Sequence, residues 1–244
     1  MARPLHYSPA GSTVMVAGRR MDDCNGGDVM LVNRIEVLEA FKFGIEEVCE
    51  RAEERGGKIE EAAWERLSDS LEEVPAAYAA LLDAMAAFDR AAEAARHRDD
   101  RAKQAVLHVH EEMTGAAGST AALLPVFPHG PAGYVRALPT ERAEQLRLLC
   151  ARIRGAASPP WTAAEATSWT ARLAAAAEPL EGALADVRQA AVARQVADGA
   201  ALSAVVRAAH RLSDFRRDLF ALGLSRSAAR ELCRVPPADL PRAA

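Results

Sequence analysis

Residues 76–113 read AAYAALLDAMAAFDRAAEAARHRDDRAKQAVLHVHEEM. Taken at alternating spacings of three and four, they give Tyr78, Leu81, Met85, Phe88, Ala92, Ala95, Asp99, Ala102, Val106, Val109 and Met113, of which ten of eleven are apolar. No Gly or Pro interrupts the pattern. It reads as one continuous helix with a coiled-coil-like seam. At 1.5 Å per residue that helix is roughly 55 Å long, so it needs partner helices along its seam.

The flanking sequence supplies such partners. Asp28 is placed to cap a first helix from Val29 to about Glu54, whose stripe is Val32, Ile35, Leu38, Phe41, Ile45, Val48 and Ala52. Gly56-Gly57 ends it. A second helix covers Ile59 to Val74, and Pro75 is expected to break or kink it before the long central one. After residue 139 come a helix from Thr140 to Arg154 and another that opens on a Thr162/Glu165 capping box. Pro179 is expected to stop the latter, and a further long helix then reaches Leu222. Gly223 and Ser225 set off a last short helix, which Pro236-Pro237 ends.

These elements predict an all-α, elongated multi-helix bundle. Its expected parts are an extended arm (1–27), an N-terminal helical unit (28–114), a Gly/Pro-rich linker (115–139), a C-terminal helical unit (140–235) and a tail (236–244). The halves share landmarks in the same order: Cys49-x-Arg51 and Cys150-x-Arg152, then Trp64 and Trp169, then Pro75 and Pro179. That order suggests two pseudo-repeated three-helix units.

Composition narrows the function classes. Hydrophobic residues make up 50% of the chain but aromatics only 5%, which implies helices packed closely over small side chains. The net charge of −4 is too mild to name a partner, yet it is unevenly spread. Glu36 to Glu73 carries 13 acids against 5 bases, and Arg207 to Arg242 carries 8 arginines against 4 acids. The two regions can attract each other within one molecule or between molecules, or stand as two solvated helix faces of opposite sign. Four scattered cysteines without a Cys-x-x-Cys pair suit a reducing, cytoplasmic setting, and no signal peptide or membrane span is read from the chain.

Several residues qualify as site candidates. His108 and Glu112 share a helix face at i, i+4, a spacing that suits zinc or iron. His110 points elsewhere and the Glu-x-x-His pairs of di-iron bundles are missing, so no metal or other cofactor is assigned. Residues 114–120 lack the lysine and the strand context of a phosphate loop. Asp99 is the one charge on the seam; the simpler expectation is a seam open to solvent there, the other a buried Asp99 with an arginine partner. Phe127, His129, Tyr134 and Arg136 are candidates for a functional loop. Leu222-Gly223-Leu224-Ser225 is similar to the turn of a helix-turn-helix, with Arg226, Arg230 and Arg234 as the basic face behind it.

No catalytic arrangement is assignable from these letters. The expectation is therefore a non-enzymatic interaction or assembly protein, an adaptor, chaperone-like or scaffold subunit. It would offer Tyr78, Leu81, Met85, Phe88, Asp99, Val106 and Val109 to itself or to a protein partner. A DNA-binding regulator is the alternative, and a helical metal-binding enzyme the third reading.

Overall fold

The computed structural model describes residues 24–157 and 159–235, with side chains described from residue 36 onward. Most of the expected arm and the whole tail from 236 therefore lie outside the described residues. The elements are α1 (Cys24–Arg55), α2 (Gly57–Ala117), α3 (Ala132–Val135), α4 (Pro139–Arg154), α5 (Ala163–Ala221) and α6 (Arg226–Leu232). A 3₁₀ turn spans Ala121–Leu123. The described residues contain no strand, and the fold is an all-α multi-helix bundle. No helix among them is long and apolar enough to cross a membrane.

Several expected boundaries coincide with local chemistry. Gly56 and Gly57 turn the chain between α1 and α2 at φ of +63° and +59°, a region that side-chain-bearing residues rarely enter. At the start of α5, Thr162 N–H donates to Glu165 Oε2 (2.7 Å) and Glu165 N–H donates to Thr162 Oγ1 (3.2 Å). That is the reciprocal capping box. Ser225 Oγ accepts from the Ala228 N–H at 3.2 Å and starts α6.

The two expected proline breaks do not occur. Pro75 lies inside the 61 residues of α2, and Pro179 inside the 59 residues of α5. An interior proline costs about 3 kcal/mol through its lost N–H and its ring clash. Burial on both sides outweighs that cost. Val74 and Leu81 bracket Pro75 and are fully buried, and each such side chain contributes about 1.5–3 kcal/mol. Leu173 and Leu180 do the same around Pro179. The start of α1 also differs from expectation, because helix begins at Cys24 and passes through Gly26, Gly27 and Asp28.

The chain forms two compact units. Among described residues, one comprises 24–25 and 90–188, the other 26–89 with 189–235. Each unit thus draws on both halves of the sequence, and segment 115–139 lies within a unit rather than between two. In the second unit, α1, the first part of α2, the last part of α5 and α6 close over Phe41, Ile45, Leu67, Leu81, Phe215 and Leu219. Arg207 pairs with Glu73 (3.1 Å), and Arg211 with Asp69 (3.0 Å) and Glu73 (3.1 Å), in the sense of the sequence asymmetry, whereas Arg66 with Asp218 (2.7 Å) runs the other way. Arg51 donates to the carbonyls of Glu231 and Arg234, both at 2.7 Å, and fastens the end of α6.

In the first unit, the last part of α2, α4 and the first part of α5 enclose Val106, Met113, Leu146, Leu149, Ile153 and Leu173. Replacing Pro75 by Ala should raise unfolding stability by up to about 3 kcal/mol, measured by urea denaturation. A neutral or destabilising effect would contradict an unbroken α2.

Candidate interaction surface

Asp99 is buried, with 4% of its surface exposed, so the expectation of a solvent-open seam at that turn is corrected. A buried carboxylate needs donors on several sides. Arg142, on the first turns of α4 and 2% exposed, gives its Nε–H to Asp99 Oδ1 at 2.5 Å. Lys103 Nζ reaches Asp99 Oδ2 at 2.7 Å. The rest of the guanidinium faces backbone: Nη1 donates to the carbonyls of Tyr134 and Val135 (3.0 Å to the latter), and Nη2 to that of Ala137 at 2.6 Å. One arginine therefore ties α2, the end of α3 and the start of α4 together.

The 115–139 segment folds around this tie. Leu123, Val126, Phe127 and Tyr134 are buried. The Phe127 ring meets His110 and Tyr134 edge-on, with centroids 4.9 and 5.4 Å away. Tyr134 Oη donates to the Val126 carbonyl (3.2 Å) and accepts from Arg152 (2.7 Å). Of the four loop candidates, Phe127 and Tyr134 are thus core residues of the segment, whereas His129 and Arg136 are exposed.

In the i, i+4 pair His108 and Glu112, the carboxylate is engaged by donors from α5. Glu112 is held in the fork of Arg172 (2.8 Å from Nη1 to Oε1, with Nη2 on Oε2) and by the Trp169 indole N–H at 2.8 Å. These donors hold its carboxyl at about 2, the Arg172 contact being the larger cause and Trp169 the next. His108 is exposed, and no cluster of three His, Cys, Asp or Glu that could hold a metal occurs among the described residues. The described cysteines Cys49, Cys150 and Cys233 are free thiols. Burial raises all three, and pushes Cys49 up to about 11 with help from Glu53 and Glu50. They are therefore thiols rather than nucleophilic thiolates at neutral pH.

The expected docking seam is largely closed by the chain's own helices. Leu81 is buried in one unit, Val106 and Val109 in the other. Tyr78 and Met85 pack against the second unit's core, and Phe88 is half-buried with the Arg194 guanidinium 5.2 Å from its ring centre. In the tail, Arg226 and Arg230 are exposed on α6, a helix of seven residues, and Arg234 lies beyond its end. The helix-turn-helix resemblance thus leaves two arginines on a short helix anchored by buried Ala229 and Leu232.

Among the exposed large apolar side chains, which include Phe43, Trp64, Leu124 and Leu148, four lie on one stretch of α5, in the second unit. Val192 is 61% exposed, Val196 66%, Leu202 47% and Val206 46%. Gln195, Gly199 and Ser203 lie among them and are also exposed. At 100° per residue these seven residues share one helix face, diametrically opposite the core positions Ala201, Ala204 and Ala208. No charge interrupts that face from Val192 to Val206. The two ionic residues in the interval, Arg194 and Asp198, are partly buried. A large exposed apolar ridge of this kind marks a contact surface more often than ordinary solvent-facing helix.

No family model, curated protein or solved structure matches this chain. Its surfaces carry the functional reading by themselves.

Sequence reasoning missed the ridge for a definite reason. With aliphatic residues on nearly all sides of α5 between Val187 and Val206, its periodicity does not separate the buried face from the open one. Helix membership in a unit had to be known first.

Two outcomes follow. Replacing Arg142 by Ala should destabilise the protein by roughly 3–5 kcal/mol, since it leaves three carbonyls without their donor and Asp99 with Lys103 alone, whereas the Asp99→Leu/Arg142→Met pair should cost less than either single change. Denaturant titration of the double-mutant cycle measures this, and additive single effects would contradict it. For Glu112, the lowered carboxyl value means stabilisation present above the ordinary carboxylate range and lost as pH falls toward about 2. The gap in melting temperature between wild type and Glu112→Gln should therefore narrow from neutral pH into acid; a constant gap would contradict the ion pair's role.

Proposed function

We propose that the protein is a non-enzymatic interaction or assembly subunit, of adaptor or scaffold type, that acts through the outward face of α5. One observation carries this reading: four large aliphatic side chains stand open to solvent on an uncharged helix face, while most of the long seams is consumed by the protein's own cores. Exposing such a ridge costs solubility, and binding a complementary helix face removes that cost by burying apolar area. A helix-presenting partner fits best, because a helix ridge packs most fully against the groove of another helix.

An internal duplication is a compatible part of this reading. Each unit takes a shorter helix and the first part of a long helix from one half, and the last part of a long helix from the other. The landmark pairs do not have matching surroundings, however: Trp64 is 53% exposed and Trp169 only 3%. A cytoplasmic location suits the free thiols.

A photo-reactive amino acid placed at Val196, in the cells that make the protein, tests the proposal. Covalent capture of protein should occur at Val196 and greatly exceed capture at Glu72, an exposed polar position of α2 in the same unit. Equal capture at the two positions, or none at Val196, would overturn it.

A further inference from the structure

We infer that a groove between α2 and α5 in the first unit binds a phosphorylated small molecule of nucleotide size, a nucleoside polyphosphate by chemical class. The groove is separate in sequence from the α5 ridge, and the inference does not depend on the docking reading.

Small side chains open the groove. Ala105 on α2 and Ala175 and Ala176 on α5 leave unfilled the space that larger residues would occupy, and two cavities of about 440 and 220 Å³ result. Arg101 and Arg172 line both, so the two are continuous.

The smaller cavity is lined by three guanidinium groups, those of Arg98, Arg101 and Arg172, and by no carboxylate. Arg98 and Arg101 stand three residues apart on one helix, where like charges are neighbours and repel. Neither has an ion pair or hydrogen bond among the described residues. Arg172 is fixed beside them by Glu112, to which Nη1 donates at 2.8 Å and Nη2 to the second oxygen. Two uncompensated charges therefore share one recess, and an anion relieves their repulsion. Guanidinium groups give parallel N–H bonds to phosphate oxygens, and two of them one turn apart suit a chain of phosphates.

The larger cavity suits the organic part. Its volume lies in the range of small-molecule sites, and it joins an apolar floor (Ala105, Val109) to a few polar groups. Gln104 offers a donor and an acceptor, and the rings of His97 and His108 can stack on a planar base. Asp100, the acid on this wall, is engaged by Lys103 at 3.0 Å. Exposed Glu93, Glu111 and Glu178 flank the groove in sequence and disfavour a long phosphate backbone over a short one.

Calorimetric titration of the full chain at low salt, with ATP in the absence of metal ions as the probe, tests the inference. ATP should bind with a dissociation constant below ~1 mM, and more weakly as salt screens the phosphates. Arg98→Gln and Arg101→Gln should each weaken binding ~10-fold or more, as loss of a hydrogen-bonded charge does. Arg136→Gln makes the same change of charge at an exposed arginine that lines neither cavity, and should leave binding unchanged. Both groove arginines are exposed and unpaired, so the melting temperature of the free protein should not fall in either variant.

Absence of ATP binding would overturn the inference. So would an equal loss in all three variants, which would reduce the site to diffuse charge, or adenosine bound as tightly as ATP. Inorganic triphosphate bound as tightly as ATP would remove the larger cavity from the site. Random duplex DNA that displaces ATP at a lower phosphate concentration, and answers to the same two variants, would make nucleic acid the occupant and overturn the small-molecule assignment. Photo-capture at Val196 stands or falls separately.

Discussion

An apolar stripe on a helix must be covered along its whole length, and no single small core can cover 61 residues. That constraint organises this protein. The stripe of α2 serves one core as far as Met85 and a second from Ala92 onward, and α5 is divided in the same manner near residue 188. Because each core has other helices to cover it, the long helices tolerate prolines that would end a shorter one. Val74, Leu81, Leu173 and Leu180 hold the helical path through Pro75 and Pro179 by burial.

The small residues of the stripe impose a second requirement. Where α2 carries Ala92, Ala95 and Ala102, apolar volume is low, and specificity has to come from polar chemistry. Arg142 provides it. It is the largest fully buried side chain among the described residues, and its guanidinium satisfies one carboxylate and three carbonyls. A buried ion pair of this kind contributes little net stability against an aliphatic replacement, but removing one member is expensive, so it fixes how the 115–139 segment returns to α2. The exposed cluster around Glu112 and Arg172 performs a weaker version of the same task between α2 and α5.

Much of the fold was legible in the letters. The seam of α2, the Gly56-Gly57 turn, the Thr162/Glu165 box and the Ser225 cap each depend on contacts within a few residues, and local rules govern those. What was not legible depends on distant partners. Pro75 and Pro179 signal breaks locally and lose to tertiary burial. Asp99 signals an open turn until Arg142, 43 residues onward, arrives beside it. The α5 ridge is hidden among similar aliphatics until the core takes its share. The acidic and basic segments left pairing as one of two readings, beside two solvated faces of opposite sign, and Arg207 and Arg211 meet Glu73 and Asp69.

The central claim is that one uninterrupted α2 feeds two cores. Residue-resolved amide hydrogen exchange from Ala86 to Ala94 tests it most directly, because this interval holds the change from one core to the other. Every amide there should be protected well above the unfolded rate, as each N–H bonds the carbonyl four residues earlier. A run of consecutive unprotected amides would mean that the helix ends and restarts, and the shared-stripe explanation of this fold would be wrong.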